Sequence, residues 1–329
     1  MLPILASFIL IVSFLPFWIK RAKNAGLEGK DMNKHDRRKV AEAGGVVVIA
    51  GFILGIMLYV ALKTFYFSSQ ENLVEIFVIA TSIIVMAFIG MIDDILGWKI
   101  GLGKKVRVFL VLIAAVPLMV INAGNSQITL FGLDGVALGW LYALFLIPIG
   151  IVGATTTFNF LAGYNGLEAG QGIIILSALS LAAQMTGSSW LALIGLCFVF
   201  SLLAFLIFNR YPAKVFPGDV LTYPVGGMIA IMAILGNIEK IAVFFFIPYV
   251  IEVFLKARGK LKKQSFGKPN KDGSLEMPYD KIYGLEHFAI WALKKVNGRA
   301  TEKGVVYVIY AFQIMVIAIG FILFGKGIF

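Results

Sequence analysis

Four oxygen-bearing residues in an otherwise apolar chain have the types that suit chemistry. They are Asp93 and Asp94, adjacent in "FIGMIDDILG"; Asn159, the first residue of "NFLAGYNGLEAGQG"; and Asp219, which closes "NRYPAKVFPGD". Carboxylates and an amide, without a cluster of sulfur or histidine, favour a hard divalent cation, Mg²⁺ with Mn²⁺ as a substitute, and Mg²⁺ usually shares its shell with substrate phosphates. Neighbouring residues on a helix point about 100° apart, so one acid of the pair is free to hold a metal while the other accepts a proton or orients a substrate. Ending an apolar helix, the two acids meet the negative pole of its dipole and repel each other, a local cost of about a kcal/mol or more unless a cation is near. Each residue also has a plainer reading: a solvated acidic pair facing Lys99, Lys104 and Lys105, an N-cap for Asp219, interhelical glue for Asn159. Four hard donors in separate stretches weigh toward metal and phosphate chemistry. In the stretch after Asn159, glycines 163, 166, 170 and 172 let backbone approach a ligand, and Asn165 offers both a donor and an acceptor. A flexible surface turn is the alternative there, since the Gly-Lys-Ser/Thr of a Walker loop is missing. Glu168 has no assigned chemistry; it caps or braces the span that follows.

The elements that must position these residues are membrane helices. The 329 residues are 60% hydrophobic and 14% charged, with a mean hydropathy of +0.91, whereas globular domains carry about 25% charged residues. Ten apolar segments are long enough to span, at about 2–19, 44–62, 73–92, 106–121, 138–158, 171–186, 189–207, 221–236, 238–256 and 305–324. The fold class expected is therefore an all-α polytopic bundle, a single domain over 1–329 with a long basic loop at 257–304. Ten spans alternate the loops between two sides, and 26 of the 29 lysines and arginines fall on one of them; the other side has Lys63, Lys240 and Lys326. The positive-inside rule makes the basic side cytoplasmic and puts both termini outside. A net charge of +11 without a soluble basic domain points to anionic lipid or an anionic substrate and away from nucleic acid. Cys197, within an apolar run, reads as packing. His35 reads as a solvated loop residue and His287 as part of an amphipathic helix, "LEHFAIWALKK", which either lies along the membrane surface or covers the core.

Five motifs in order, "GKDMNK" with "AEAGG", "FIGMIDDILG", "NFLAGYNGLEAGQ", "NRYPAKVFPGD" and "GSLEMPY", joined by the ten-span layout, resemble the polyprenyl-phosphate N-acetylhexosamine-1-phosphate transferase family. The similarity is greatest to its dolichyl-phosphate N-acetylglucosamine-phosphotransferase branch, with the bacterial MraY enzymes more distant. The resemblance implies Mg²⁺-dependent transfer of a sugar-1-phosphate from a UDP-sugar, UDP-GlcNAc in that branch, to dolichyl or another polyprenyl phosphate, with release of UMP. It implies that Asn159, Asp219 and Asp94 hold the metal and that Asp93 orients or deprotonates the lipid phosphate. It further implies that Phe216 stacks on uracil, that Gly163 and Asn165 form a uridine-binding turn, that Glu42 lies near the site, and that Lys104 or Lys105 binds phosphate. Membrane lipid is an expected partner, and a homodimer is compatible with the resemblance.

One departure stands out. Relatives carry histidine among basic residues in the final cytoplasmic loop, whereas "KKQSFGKP" at the corresponding place has none; Lys262, Lys263 and Gln264 are the residues left to meet the phosphate and the acetamido group. The competing class is a cation- or proton-coupled transporter, which predicts acids near the bilayer midplane and comparable halves; a lipid-binding scaffold accounts for the basic face but not for the oxygen ligands.

Overall fold

The structure of the chain, a computed structural model, describes residues 1–124, 127–128 and 136–325; the side chains of residues 98–100, 104, 127, 128, 136 and 137 lie outside that description. Among the described residues twelve α-helices carry the fold: α1 (Leu2–Asn24), α2 (Gly45–Ala61), α3 (Leu73–Ile100), α4 (Lys104–Val120), α5 (Ile147–Phe158), α6 (Leu167–Met185), α7 (Ser189–Asn209), α8 (Asp219–Leu235), α9 (Glu239–Phe245), α10 (Ile247–Arg258), α11 (Leu285–Asn297) and α12 (Glu302–Phe324). Each of the ten apolar segments read from the sequence contains helix. Among the described residues six stretches are long and apolar enough to cross a membrane by length and composition: Leu2–Asn24, Gly45–Tyr66, Leu73–Gly97, Leu167–Met185, Ser189–Asn209 and Glu302–Phe324. Tyr142–Phe158 and Asp219–Leu235 are shorter apolar helices.

Three details correct the sequence expectations. The segment at 238–256, read as one helix, is two, α9 and α10, separated at Phe246 and followed by Pro248 in the first turn of α10, where a missing N–H is tolerated. Among the described residues the all-α fold carries three two-stranded antiparallel ladders: β1 (Glu28–Lys30) with β2 (Lys39–Ala41), β3 (Gln127–Ile128) with β4 (Val136–Ala137), and β5 (Lys268–Pro269) with β6 (Leu275–Glu276). Finally, Asp93 and Asp94 do not end their helix. Helix α3 runs on to Ile100 and breaks at Gly97, whose φ of 72° and ψ of 158° are not helical.

Helix α8 is the axis of the bundle. All residues from Val220 to Ile234 are buried, and the helix packs against α3, α5 and α6. Elsewhere the helices turn apolar side chains outward, as with Ile9, Phe14 and Phe17 on α1 and Phe145 and Ile149 near α5, which carries no hydrophobic penalty where the surroundings are lipid. Gly90 shows why α3 and α8 approach so closely: a Cβ there would stand 2.2 Å from the carbonyl oxygen of Asp219. Only glycine lets the two backbones touch, and the contact sets the start of α8 beside the acidic pair of α3.

Candidate active site

The acidic pair divides its work. Asp94 Oδ1 accepts the backbone N–H of Asp219 at 2.8 Å, and its Oδ2 accepts that of Val220 at 3.0 Å. These are first-turn amides of α8, which have no partner within their own helix and sit at its positive pole. The N-cap reading of Asp219 is thereby corrected: Gly218 occupies the cap position, and the capping carboxylate arrives from α3. Asp219 itself is turned to other partners. Its Oδ1 accepts from Asn159 Nδ2 at 2.9 Å, and its Oδ2 lies 3.9 Å from Arg107 Nη1. Asn159 gets there because α5 ends at Phe158, leaving Asn159 as its C-cap.

Asp93 faces the stretch that curls back after the break at Gly97. Its Oδ1 accepts the N–H of Leu102 at 2.6 Å, and its Oδ2 pairs with Arg107 Nη2 at 2.5 Å. One guanidinium on the first turns of α4 thus stands between Asp93 and Asp219. Arg107 was counted in the charge map but not singled out by the sequence; Lys105 is exposed on the same helix, and the side chain of Lys104 lies outside the described residues.

These groups open onto a cavity of about 830 Å³. Of the residues expected at the site, Glu42, Asp94, Asn159, Gly163, Phe216, Asp219, Lys263 and Gln264 line it, and Arg107 joins them. Lys262 is exposed, while Asp93 and Asn165 are buried. Phe216 is held by main-chain pairing with the "AEAGG" segment: its N–H donates to the Ala41 carbonyl at 2.8 Å, and its own carbonyl accepts from Gly44 at 3.0 Å. Burial raises the carboxyl of Glu42, in that same segment, above its ordinary range.

The turn after Asn159 is braced from all sides. Gly163 has a φ of 100°, and a Cβ on it would stand 2.6 Å from the ring of Phe266, so no other residue fits. Its N–H donates to Glu168 Oε1 at 2.8 Å, and its carbonyl accepts from Asn33 Nδ2 at 2.8 Å. That gives Glu168 a role the sequence left open: it braces the turn. Asn165 donates its N–H to Glu302 Oε1 at 2.8 Å and its Nδ2 to Asp31 Oδ2 at 3.2 Å, while its Oδ1 accepts from Ala213 N–H at 2.8 Å. The amide expected to face uridine is thus engaged by three other segments of the chain.

The final loop closes the far wall. Lys263 lies over the rings of Tyr279 at 4.6 Å and Tyr283 at 5.6 Å, and the N–H of Gln264 donates to Tyr279 Oη at 3.2 Å. Lys256, buried on α10, also lines the cavity; it donates to Ser265 Oγ and lies 3.3 Å from Glu252 Oε1. Neither histidine enters: His35 is exposed, and His287 is fully buried on the inward face of α11, a helix that covers the core.

Asp93, Asp94 and Asp219 against Arg107 leave two formal negative charges in a partly buried, all-oxygen setting, which fits a divalent cation. Among the described residues no three His, Cys, Asp or Glu side chains form a ready-made metal cluster. The set therefore suits an ion that completes its shell with water and substrate phosphates.

Comparison with known proteins shows what the chain is similar to. A family model described as glycosyl transferase family 4 matches residues 76–237. A protein of Saccharolobus solfataricus, provisionally named UDP-N-acetylglucosamine–dolichyl-phosphate N-acetylglucosaminephosphotransferase, is 37% identical over 98% of this chain and 96% of its own length. The UDP-N-acetylglucosamine–dolichyl-phosphate N-acetylglucosaminephosphotransferase of Dictyostelium discoideum is 28% identical over 74% of this chain and 68% of its own. The phospho-N-acetylmuramoyl-pentapeptide-transferase of Halalkalibacterium halodurans is 27% identical over 79% and 84%.

Proposed function

The chain belongs to glycosyl transferase family 4, and from that premise we propose that it transfers N-acetylglucosamine-1-phosphate from UDP-N-acetylglucosamine to dolichyl or another polyprenyl phosphate, releasing UMP. The observation that carries the proposal is the meeting of Asp94 of α3, Asn159 at the C-cap of α5, Asp219 at the start of α8 and Arg107 on the first turns of α4 on one polar cavity. A coupled transporter would hold its acids midway along helices, whereas Asp219 opens α8 and Asp94 lies about one turn before the break of α3 at Gly97.

Both substrates are anions. Two unit charges 4 Å apart repel by about 4 kcal/mol at an effective dielectric near 20, and these phosphates carry more than one charge each. Arg107, fixed between Asp93 and Asp219, supplies a permanent cation that need not reorganise as charge shifts. Asp219 and Asn159 would hold Mg²⁺, with Asp94 fixing Asp219 through the amides of α8; when bound, the ion neutralises and polarises the donor pyrophosphate. In the step itself an oxygen of the acceptor phosphate attacks the donor's β-phosphorus, the bond from that phosphorus to the bridging oxygen breaks, and the oxygen leaves with UMP. A phosphate monoester is largely dianionic at neutral pH, so strong base catalysis is not required of Asp93. Its two oxygens, taken by Leu102 and Arg107, suit it to orienting Arg107. Phe216, Lys256, Lys263 and Gln264 all line the cavity; in this reading Phe216 would stack on uracil and the other three would meet the sugar and pyrophosphate.

The acceptor's tail needs an apolar path. A second cavity of about 480 Å³, lined by Ile149, Gly153, Ile229, Val243, Phe246 and Phe254, lies among α5, α8, α9 and α10 and suits an isoprenoid. By the charge map, ten membrane passes put the active site on the cytoplasmic face and the termini outside.

The test is purified protein supplied with Mg²⁺, polyprenyl phosphate and a panel of UDP-sugars, reading UMP and lipid product. UMP release that requires both lipid phosphate and metal, greatest with UDP-N-acetylglucosamine, is expected; absence of metal-dependent product with every UDP-sugar would sink the proposal.

A further inference from the structure

The motif "GKDMNK" has so far been given no task, yet its Asp31, Asn33 and Lys34 are buried and engaged. Asp31 accepts from the Asn165 side chain; Lys34 pairs with Glu302, which in turn accepts the N–H of Asn165. Asn33 does more. It is 4% exposed; its Nδ2 donates to the carbonyl of Gly163 at 2.8 Å, and its Oδ1 accepts the N–H of Gly267 at 3.1 Å. One side chain thus joins the turn after Asn159 to the final loop. Two further contacts lie on the same seam: the Phe266 ring rests on Gly163, and Tyr164 Oη donates to the Ser265 carbonyl at 3.3 Å. Lys30, Asp31 and Met32 of the same motif line the cavity, so the segment that ties its walls together also faces the ligand space.

We propose that Asn33 is a positioning residue for the donor: it fixes the spacing between the nucleoside-side turn at Gly163 and the sugar-side loop at Ser265–Gly267. This rests on the transferase reading above. A ligand that touches one wall is indifferent to that spacing, whereas one that reaches across both binds well only when the spacing is right. UMP is the first kind and UDP-N-acetylglucosamine the second. Loss of Asn33 is therefore a selective loss. Because the bridge consists of two neutral hydrogen bonds in a buried seam, the effect is of the order of tenfold.

Dissociation constants for UMP and UDP-N-acetylglucosamine, measured with Mg²⁺ and without acceptor lipid, provide the test in wild type, Asn33→Ala and Asn33→Asp. Asn33→Ala is expected to weaken UDP-N-acetylglucosamine about tenfold and UMP less than about threefold. Asn33→Asp, which keeps the volume and the acceptor for Gly267 but sets a carboxylate oxygen against the Gly163 carbonyl, is expected to weaken UDP-N-acetylglucosamine at least as much as Ala and UMP again by less; it carries the comparison if the Ala variant does not elute as a folded species. Equal weakening of both ligands would mean a merely structural residue, and no change would mean none; either overturns the inference. Failure of the wild type to bind either nucleotide would instead remove the functional reading on which it rests.

Discussion

Arg107 stands between two carboxylates that belong to different helices, and its chemistry follows from that. Lysine at this place keeps the charge but loses the planar fork that reaches Asp93 and Asp219 together. We expect Arg107→Lys to lower kcat roughly tenfold to a hundredfold while UMP affinity changes little; a variant with wild-type kcat would remove Arg107 from the reaction. Arg107→Ala is the harsher change, since it leaves Asp93 buried without its cation, a loss of about 3–5 kcal/mol in stability where such pairs are broken. The residue types of Asp94, Asn159 and Asp219 made the acidic site legible in the sequence, because hard donors are rare in so apolar a chain. Arg107 was not legible. Which of several cations after the pair turns inward depends on the break at Gly97, a backbone event that residue identity does not announce. Nor was the capping role of Asp94, which exists only because a helix 125 residues further along begins beside it.

Helices give each residue its direction, and α11 shows how far pattern alone carries. In "LEHFAIWALKK" helical spacing groups Leu285, Phe288, Ala289, Ala292 and Leu293 as one apolar face. The helix instead buries Leu285, Glu286, His287, Ala289 and Ile290 against α10 and α12, and leaves Phe288 and Trp291 about half exposed. The inward face was illegible because two of its members are polar: burial and the neighbouring Glu252 carboxylate push Glu286 up to about 8, and burial with the charge of Lys256 pushes His287 down to about 4. Each therefore packs as a neutral group at neutral pH. The consequence for stability has opposite signs in the two cases. Between pH 4 and 6.5 the unfolded chain protonates His287 while the folded chain does not, so that residue makes stability rise with pH. Between 4.5 and 8 the folded chain keeps a proton on Glu286 that the unfolded chain has released, so stability falls as pH rises. Above 6.5 only the second effect is left. Unfolding midpoints taken from pH 6.5 to 8 are expected to decline in wild type and to decline by a few degrees less in Glu286→Gln; parallel curves would show that Glu286 is already ionised.

At the scale of the whole molecule the charge map and the fold agree on one end. The basic loops and the cavity share the side formed by the ends of α1, α3, α5 and α7 and the starts of α2, α4, α6 and α8. In a Cys197→Ser background, Gln70→Cys is expected to react with a membrane-impermeant maleimide on intact cells, and Lys271→Cys only after the cells are opened. The reverse pattern would invert the orientation. This layout was legible early, because apolar length and loop charge are properties of stretches and survive errors at single residues. The interruption of the ninth apolar segment was harder to read, since Phe246 is as apolar as its neighbours and only Pro248 marked the place.

The carboxylate of Asp94 also sets an order of events. Chains grow from the N-terminus at about 5–20 residues per second, so α3 enters the membrane roughly 6–25 seconds before the amides of Asp219 and Val220 are made. Through that interval Asp94 has no helix start to receive it. A nascent chain halted before α8 would leave the Asp94 carboxylate without the two amides that receive it, so this part of the site closes only once α8 has been made.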